Sequence, residues 1–98
     1  MTLPVVFRAA AKTEYDDAVD WYEDRQSGQG SAFVAAVRRV LVEIADRPMR
    51  FMIARGDVRQ VLVSGFPFSI LYRIKRDRVV IIAVFHTSRN PSIWQKRI

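Results

Sequence analysis

The chain has 98 residues with 16 basic and 10 acidic side chains, which gives a net charge of +6, and it contains no cysteine. This length fits one domain, residues 1–98, with enough apolar residues for a single core. Without cysteine, disulfides and thiolate metal sites are excluded. The longest apolar run, residues 79–85, is too short to span a bilayer, and the start does not resemble a signal peptide. We therefore expect a cytoplasmic protein with no membrane contact.

The positive charge lies in the second half of the chain. Residues 1–46 carry five basic and eight acidic side chains, whereas residues 47–98 carry eleven basic and two acidic ones. Most of these cations are arginines, which suit bidentate contacts to phosphate or carboxylate. A field of this sign favours an anionic partner, either nucleic acid or an acidic protein segment.

In the first half, one strand is followed by two helices. Residues 3–7 are apolar and β-branched, which predicts a strand. From Ala9 the apolar residues recur with a helical period, and the small polar residues 27–31 interrupt the pattern. Either serine of that break is expected to cap the second helix, which Pro48 ends. The two helices are predicted to form an antiparallel hairpin.

In the second half, the apolar period becomes two. Residues 58–63 and 66–74 predict strands joined by a turn at Ser64-Gly65. After a polar turn at 75–78, residues 79–85 are apolar on both faces, which predicts a central strand. The order is β-α-α-β-β-β. It predicts an α+β domain of two layers, with the N-terminal strand and the helical hairpin packed on an antiparallel-type sheet.

Several short motifs occur in a fixed order along nearly the whole chain. They are Glu14-x-x-x-Ala18-x-x-Trp21-Tyr22-Glu23, Phe33-x-x-x-Val37, Phe66-Pro67-Phe68-x-Ile70-x-Tyr72 and His86-x-x-Arg89-x-Pro91-x-x-Trp94. Their order and spacing resemble the ParE/RelE family of bacterial toxins from type II toxin–antitoxin pairs, and they are closer to the ParE branch.

The resemblance implies a function and two partners. Members of the ParE branch act on DNA gyrase and are neutralised by a cognate ParD-like antitoxin, which implies a hetero-oligomer with that antitoxin. The alternative is a RelE-like endonuclease that cuts messenger RNA on the ribosome. We expect an inhibitory binding protein, and the enzyme question stays open.

The resemblance also bears on possible catalysis. RNA cleavage without metal needs an acid, a base and cations near the phosphate. RNA-cutting relatives offer an arginine on the middle strand where this chain has Ser69, so we assign no catalytic residue. His86, Arg73 and Arg89 are the remaining candidates for lining such a groove. We expect no metal site, since a lone histidine is poor support for one, and no cofactor.

We predict that basic and apolar side chains of the second half bind the partners. Arg59 and Arg73 are expected to share the sheet face away from the helices, because alternation sets each of them opposite the local apolar residues. Trp94 is either an anchor for the tail or a hot spot for a partner, whereas Trp21 and Tyr22 are expected to pack inside the hairpin. The predicted partner-binding residues are Arg59, Leu71, Arg73, Arg89, Trp94 and Arg97.

Overall fold

The computed structural model describes residues 2–98 and has three helices and five strands in this part of the chain. The α+β prediction is confirmed. Across these residues no helix has both the length and the apolarity needed to cross a bilayer. The elements are β1 (Val5–Phe7), α1 (Ala9–Arg25), α2 (Gln29–Asp46), β2 (Ile53–Arg55), β3 (Val58–Leu62), β4 (Phe68–Ile74), β5 (Val79–His86) and α3 (Ser92–Gln95).

The five strands form one sheet in the order β1-β5-β4-β3-β2. β1 runs parallel to β5, and the other neighbours are antiparallel. The sheet is therefore mixed, and the pairing of β1 with β5 is its parallel part. β2 is an edge strand that is absent from the predicted order β-α-α-β-β-β. Gly56-Asp57 joins it to β3, and Gly56 has a φ of +59°, which favours glycine in two-residue hairpin turns.

The predicted central strand is confirmed. β5 lies between β1 and β4, and its first seven residues are buried. Val79, Ile81 and Val84 face the helices, while Ile82, Ala83 and Phe85 pack on the opposite face. We call these two faces of the sheet the helix side and the far side. The pairing with β4 shifts at Ile82, a β-bulge that places two consecutive residues on the far side.

A carboxylate, rather than a serine, binds the backbone N–H groups at the start of α2. Gly28 precedes α2 with no side-chain cap of its own, so the predicted serine cap is wrong. Glu23 of α1 instead accepts hydrogen bonds from the backbone N–H groups of Gly28 and Gly30, at 3.0 Å each for the shorter contacts. A Cβ on Gly30 would lie 2.9 Å from the carbonyl oxygen of Val19, so glycine permits this close approach of the helices.

Aromatic rings fill the helix side of the core. Phe33 of α2 is fully buried and its ring centroid lies 5.2 Å from that of Tyr22, 5.1 Å from that of Phe66 and 5.2 Å from that of Phe68. Tilted and edge-on pairs at this spacing are favourable beyond the area they bury. Tyr72 donates its hydroxyl to the carbonyl of Pro48, and burial raises the pKa of Tyr72 to about 12.

The residues after β5, 87–98, which we call the tail, cover part of the far side. Trp94 of α3 is 5% exposed and packs with Val58, Leu71 and Phe85. A two-layer domain leaves one sheet face without helices. Here the C-terminal segment covers the apolar part of that face.

Candidate partner-binding site

The two strand arginines lie on opposite faces, so the predicted shared face is wrong. Arg59 pairs in register with Tyr72 on the helix side and donates to the carbonyls of Phe51 and Met49 at 2.6 and 3.1 Å. It therefore holds the loop between α2 and β2. Arg73 pairs in register with Val58 on the far side and forms an ion pair with Asp57 at 2.9 Å. Alternation does not identify the face here, because both faces of the sheet bury apolar residues: Val58 packs on the far side and Tyr72 on the helix side.

Two of the predicted partner-binding residues are covered by the chain itself. Leu71 is 1% exposed beneath the tail, and Trp94 is the residue that covers it. Trp94 thus occupies the anchor position that was one of its two alternatives. Neither side chain offers surface to a partner while the tail stays in place.

Glu14 of α1 ties the tail to the sheet. Its carboxylate accepts two bonds from the guanidinium of Arg97, at 2.9 and 3.0 Å, and one from Arg89 at 3.0 Å. The Glu14 side chain is 12% exposed and that of Arg97 is 20% exposed. A bidentate pair of this kind fixes geometry as well as charge. Arg8 adds a further bond, from its guanidinium to the carbonyl of Arg97 at 2.6 Å.

The same ion pair completes an edge of β5. β1 pairs with β5 only as far as Ile81, which leaves the following backbone groups without a strand partner on that side. The N–H of Val84 donates to Glu14 at 3.1 Å, and the carbonyl of Ile82 accepts from Arg97 at 3.2 Å. Buried backbone groups need such partners. No role was predicted for Glu14 from the sequence, because its partners in the tail are distant in the chain.

A groove of about 420 Å³ lies between α1 and the ends of β4 and β5. Trp21, half of which is exposed, stands at its wall with its ring 4.3 Å from the guanidinium of Arg25. The expectation that Trp21 packs inside the hairpin is wrong, whereas Tyr22 is buried as expected. We call this site the α1 groove; its apolar lining is Ala18, Trp21, Tyr22, Pro67, Phe68 and Val84.

Charged and titratable groups of both signs line the same groove. Glu14 and Asp17 come from α1, and His86 and Arg89 come from the end of β5 and the segment after it. The Nδ1 atom of His86 accepts a bond from the backbone N–H of Ser88 at 3.1 Å, and its ring stands edge-on to Phe68. An apolar lining with a few polar groups at its border is typical of a surface that binds a ligand or a partner segment.

The three catalytic candidates do not converge. His86 and Arg89 line the α1 groove, but Arg73 lies on the far side of the sheet and is paired with Asp57. Arg73 is in register with Val80, six residues before His86 on β5, a separation of about 20 Å at the usual rise per residue. Ser69 is buried on β4. A site that uses Arg73 together with His86 is therefore not formed.

Comparison with known proteins agrees with this fold. A chain described as "Chromosomal ParDE TA system from P. aeruginosa" superimposes with a TM-score of 0.76 at 14% identity, covering 89% of this chain and 98% of that one. At this identity the likeness shows the fold alone. No curated protein sequence matches the chain.

A family comparison identifies the chain by its sequence. The sequence model described as "ParE toxin of type II toxin-antitoxin system, parDE" matches residues 5–91. The match runs from β1 through all five strands and both long helices to the start of the tail. The chain thus belongs to the ParE toxin family, and it is the toxin component of a type II toxin–antitoxin system.

Proposed function

We propose that this protein inhibits DNA gyrase by binding and performs no chemistry of its own. The observation that carries the proposal is the family match over residues 5–91. The separation of Arg73 from His86 supports binding over RNA cleavage, because general acid–base catalysis needs its groups within hydrogen-bond reach of one substrate. Action on gyrase places the protein in the cytoplasm.

We also propose that the α1 groove receives the antitoxin. An antitoxin partner follows from the family, and the groove offers exposed apolar surface at Trp21 with charges of both signs at Asp17 and Arg89. These features suit an amphipathic segment that folds on binding, with apolar side chains in the groove and polar ones at its border. Of the predicted partner-binding residues, Arg89 is the one that lines this groove.

A supercoiling assay tests the gyrase proposal. Purified toxin is titrated against gyrase and relaxed plasmid, and we expect loss of supercoiling or accumulation of cleaved DNA that added antitoxin reverses. The matched arm measures the integrity of transcripts in a translating extract with the same toxin preparation. Undisturbed gyrase at a large molar excess of toxin would contradict the proposal, and transcript cleavage in the second arm would replace it with the endonuclease.

A further inference from the structure

Two strand arginines, Arg55 and Arg73, lie on the far side of the sheet, at the end opposite the α1 groove. Arg55 of β2 pairs in register with Val58 of β3, which pairs with Arg73 of β4. Directly paired residues share a face, and Val58 packs under Trp94 on the far side. Strands lie about 4.8 Å apart, so Arg55 and Arg73 sit in one row with their Cα atoms roughly 10 Å apart.

Two exposed lysines lie near these arginines along the chain. Lys75 follows Arg73 by two residues, the spacing that sets side chains of an extended chain on the same face. Lys96 follows Gln95, whose side chain accepts a bond from Arg55 at 3.3 Å. We call Arg55, Arg73, Lys75 and Lys96 the basic face. Its acidic neighbour is Asp57, which pairs with Arg73.

The kind of partner follows from what this surface lacks. A peptide that folds on binding needs apolar surface to bury, but the apolar side chains beside the arginines, Val58 and Leu71, are 0% and 1% exposed under the tail. A phosphate backbone needs only cations at suitable positions. Arg55, Lys75 and Lys96 are exposed, whereas Arg73 is held by Asp57. Exposed cations over a covered apolar cluster therefore fit nucleic acid better than an acidic protein segment.

We propose that the basic face binds the phosphate backbone of duplex DNA. The role of this DNA contact rests on the proposed function. Gyrase acts while it holds DNA, so a toxin bound to gyrase would contact the enzyme and its DNA together. The α1 groove lies on the helix side, so the antitoxin and DNA would occupy separate surfaces. The DNA contact itself is measurable without gyrase.

The test compares two triple variants that remove the same charge. Arg55→Ala, Lys75→Ala and Lys96→Ala together remove three exposed cations of the basic face, while Arg38→Ala, Arg39→Ala and Arg47→Ala remove three exposed cations of the hairpin layer. Anisotropy of a labelled 20-base-pair duplex is measured between 50 and 200 mM salt. We expect a log–log slope of about −3 to −4 for the wild type, which falls by about 2 to 3 in the first variant and stays within about 1 in the second.

Each outcome of this test is decisive. An equal loss in both variants, or no salt-dependent binding by the wild type, overturns the proposal. Loss of antitoxin affinity in the first variant with unchanged DNA binding also overturns it and reassigns the surface to the antitoxin. Gyrase inhibition is scored separately with wild-type protein. If the wild type binds DNA but does not inhibit gyrase, the DNA-binding proposal is supported and the proposed function is wrong. If the wild type inhibits gyrase but the first variant binds DNA as the wild type does, the proposed function is supported and the DNA-binding proposal is wrong.

Discussion

At the scale of single residues, identity and environment separate side chains that look alike in the sequence. Trp21 and Trp94 both belong to motifs of the family, yet Trp21 is 53% exposed and Trp94 is 5% exposed. Arg59 and Arg73 are both strand arginines, yet they lie on opposite faces. The difference is set by neighbours that are distant in the chain, because exposure depends on what other elements cover.

The exposed indole of Trp21 gives the first residue-scale prediction. Trp21→Ala is expected to weaken antitoxin binding by at least about 2 kcal/mol, roughly 30-fold in Kd, because a large aromatic side chain would lose its buried contact in the α1 groove. Calorimetric titration of purified antitoxin into the toxin measures it. Val42→Ala, which alters an exposed apolar side chain on α2, is the matched control. Equal effects of the two changes would show that the antitoxin does not use this groove.

At the scale of elements, hydrophobic periodicity predicted the strands and helices that bury a face. The helical hairpin, β3, β4 and β5 all appear close to their predicted ranges. β2 was missed because three exposed residues carry no alternation to read. A signal was nevertheless present, since Gly-Asp between two candidate strands is a two-residue hairpin turn.

The tail is an element that depends on one ion pair for its position. Glu14→Gln is expected to reduce the free energy of unfolding by about 2–3 kcal/mol, because it leaves the largely buried guanidinium of Arg97 without a counter-charge. It is also expected to make the tail more accessible to proteases. Urea denaturation and limited proteolysis measure the two effects.

Arg89→Ala provides the control for this prediction. Arg89 also pairs with Glu14, but its side chain is 42% exposed, so its loss is expected to cost less than about 1 kcal/mol. If Glu14→Gln and Arg89→Ala destabilise the protein equally, the tail does not depend on the inner pair.

At the scale of the whole molecule, charge is divided between two surfaces. The water-facing side of α1 carries Asp16, Asp17, Asp20 and Asp24, while the basic face lies on the far side of the sheet. Screening limits such fields to about 8–10 Å at physiological ionic strength. Each partner therefore experiences the local charge of its own surface rather than the net charge of +6.

This division predicts two different salt dependences. Raising salt from 50 to 200 mM is expected to weaken DNA binding by roughly 60- to 250-fold, which is the effect of a log–log slope of about −3 to −4. The same change is expected to alter antitoxin affinity by less than about threefold, since the α1 groove is mainly apolar and carries both signs of charge. Parallel titrations with each partner measure this. Equal salt slopes would indicate one shared surface.

The sequence by itself determined the family, the order of most elements and the central position of β5, because these follow from local periodicity and from motifs read in one dimension. Only the tertiary structure decided that Arg59 and Arg73 lie on opposite faces of the sheet. It also decided that Trp94 covers Leu71 and that Glu14 binds the free edge of β5. Glu14 and Arg97 are 83 residues apart in the chain. Such a contact leaves no periodic trace, because it depends on the packing of the helices, the sheet and the tail against one another.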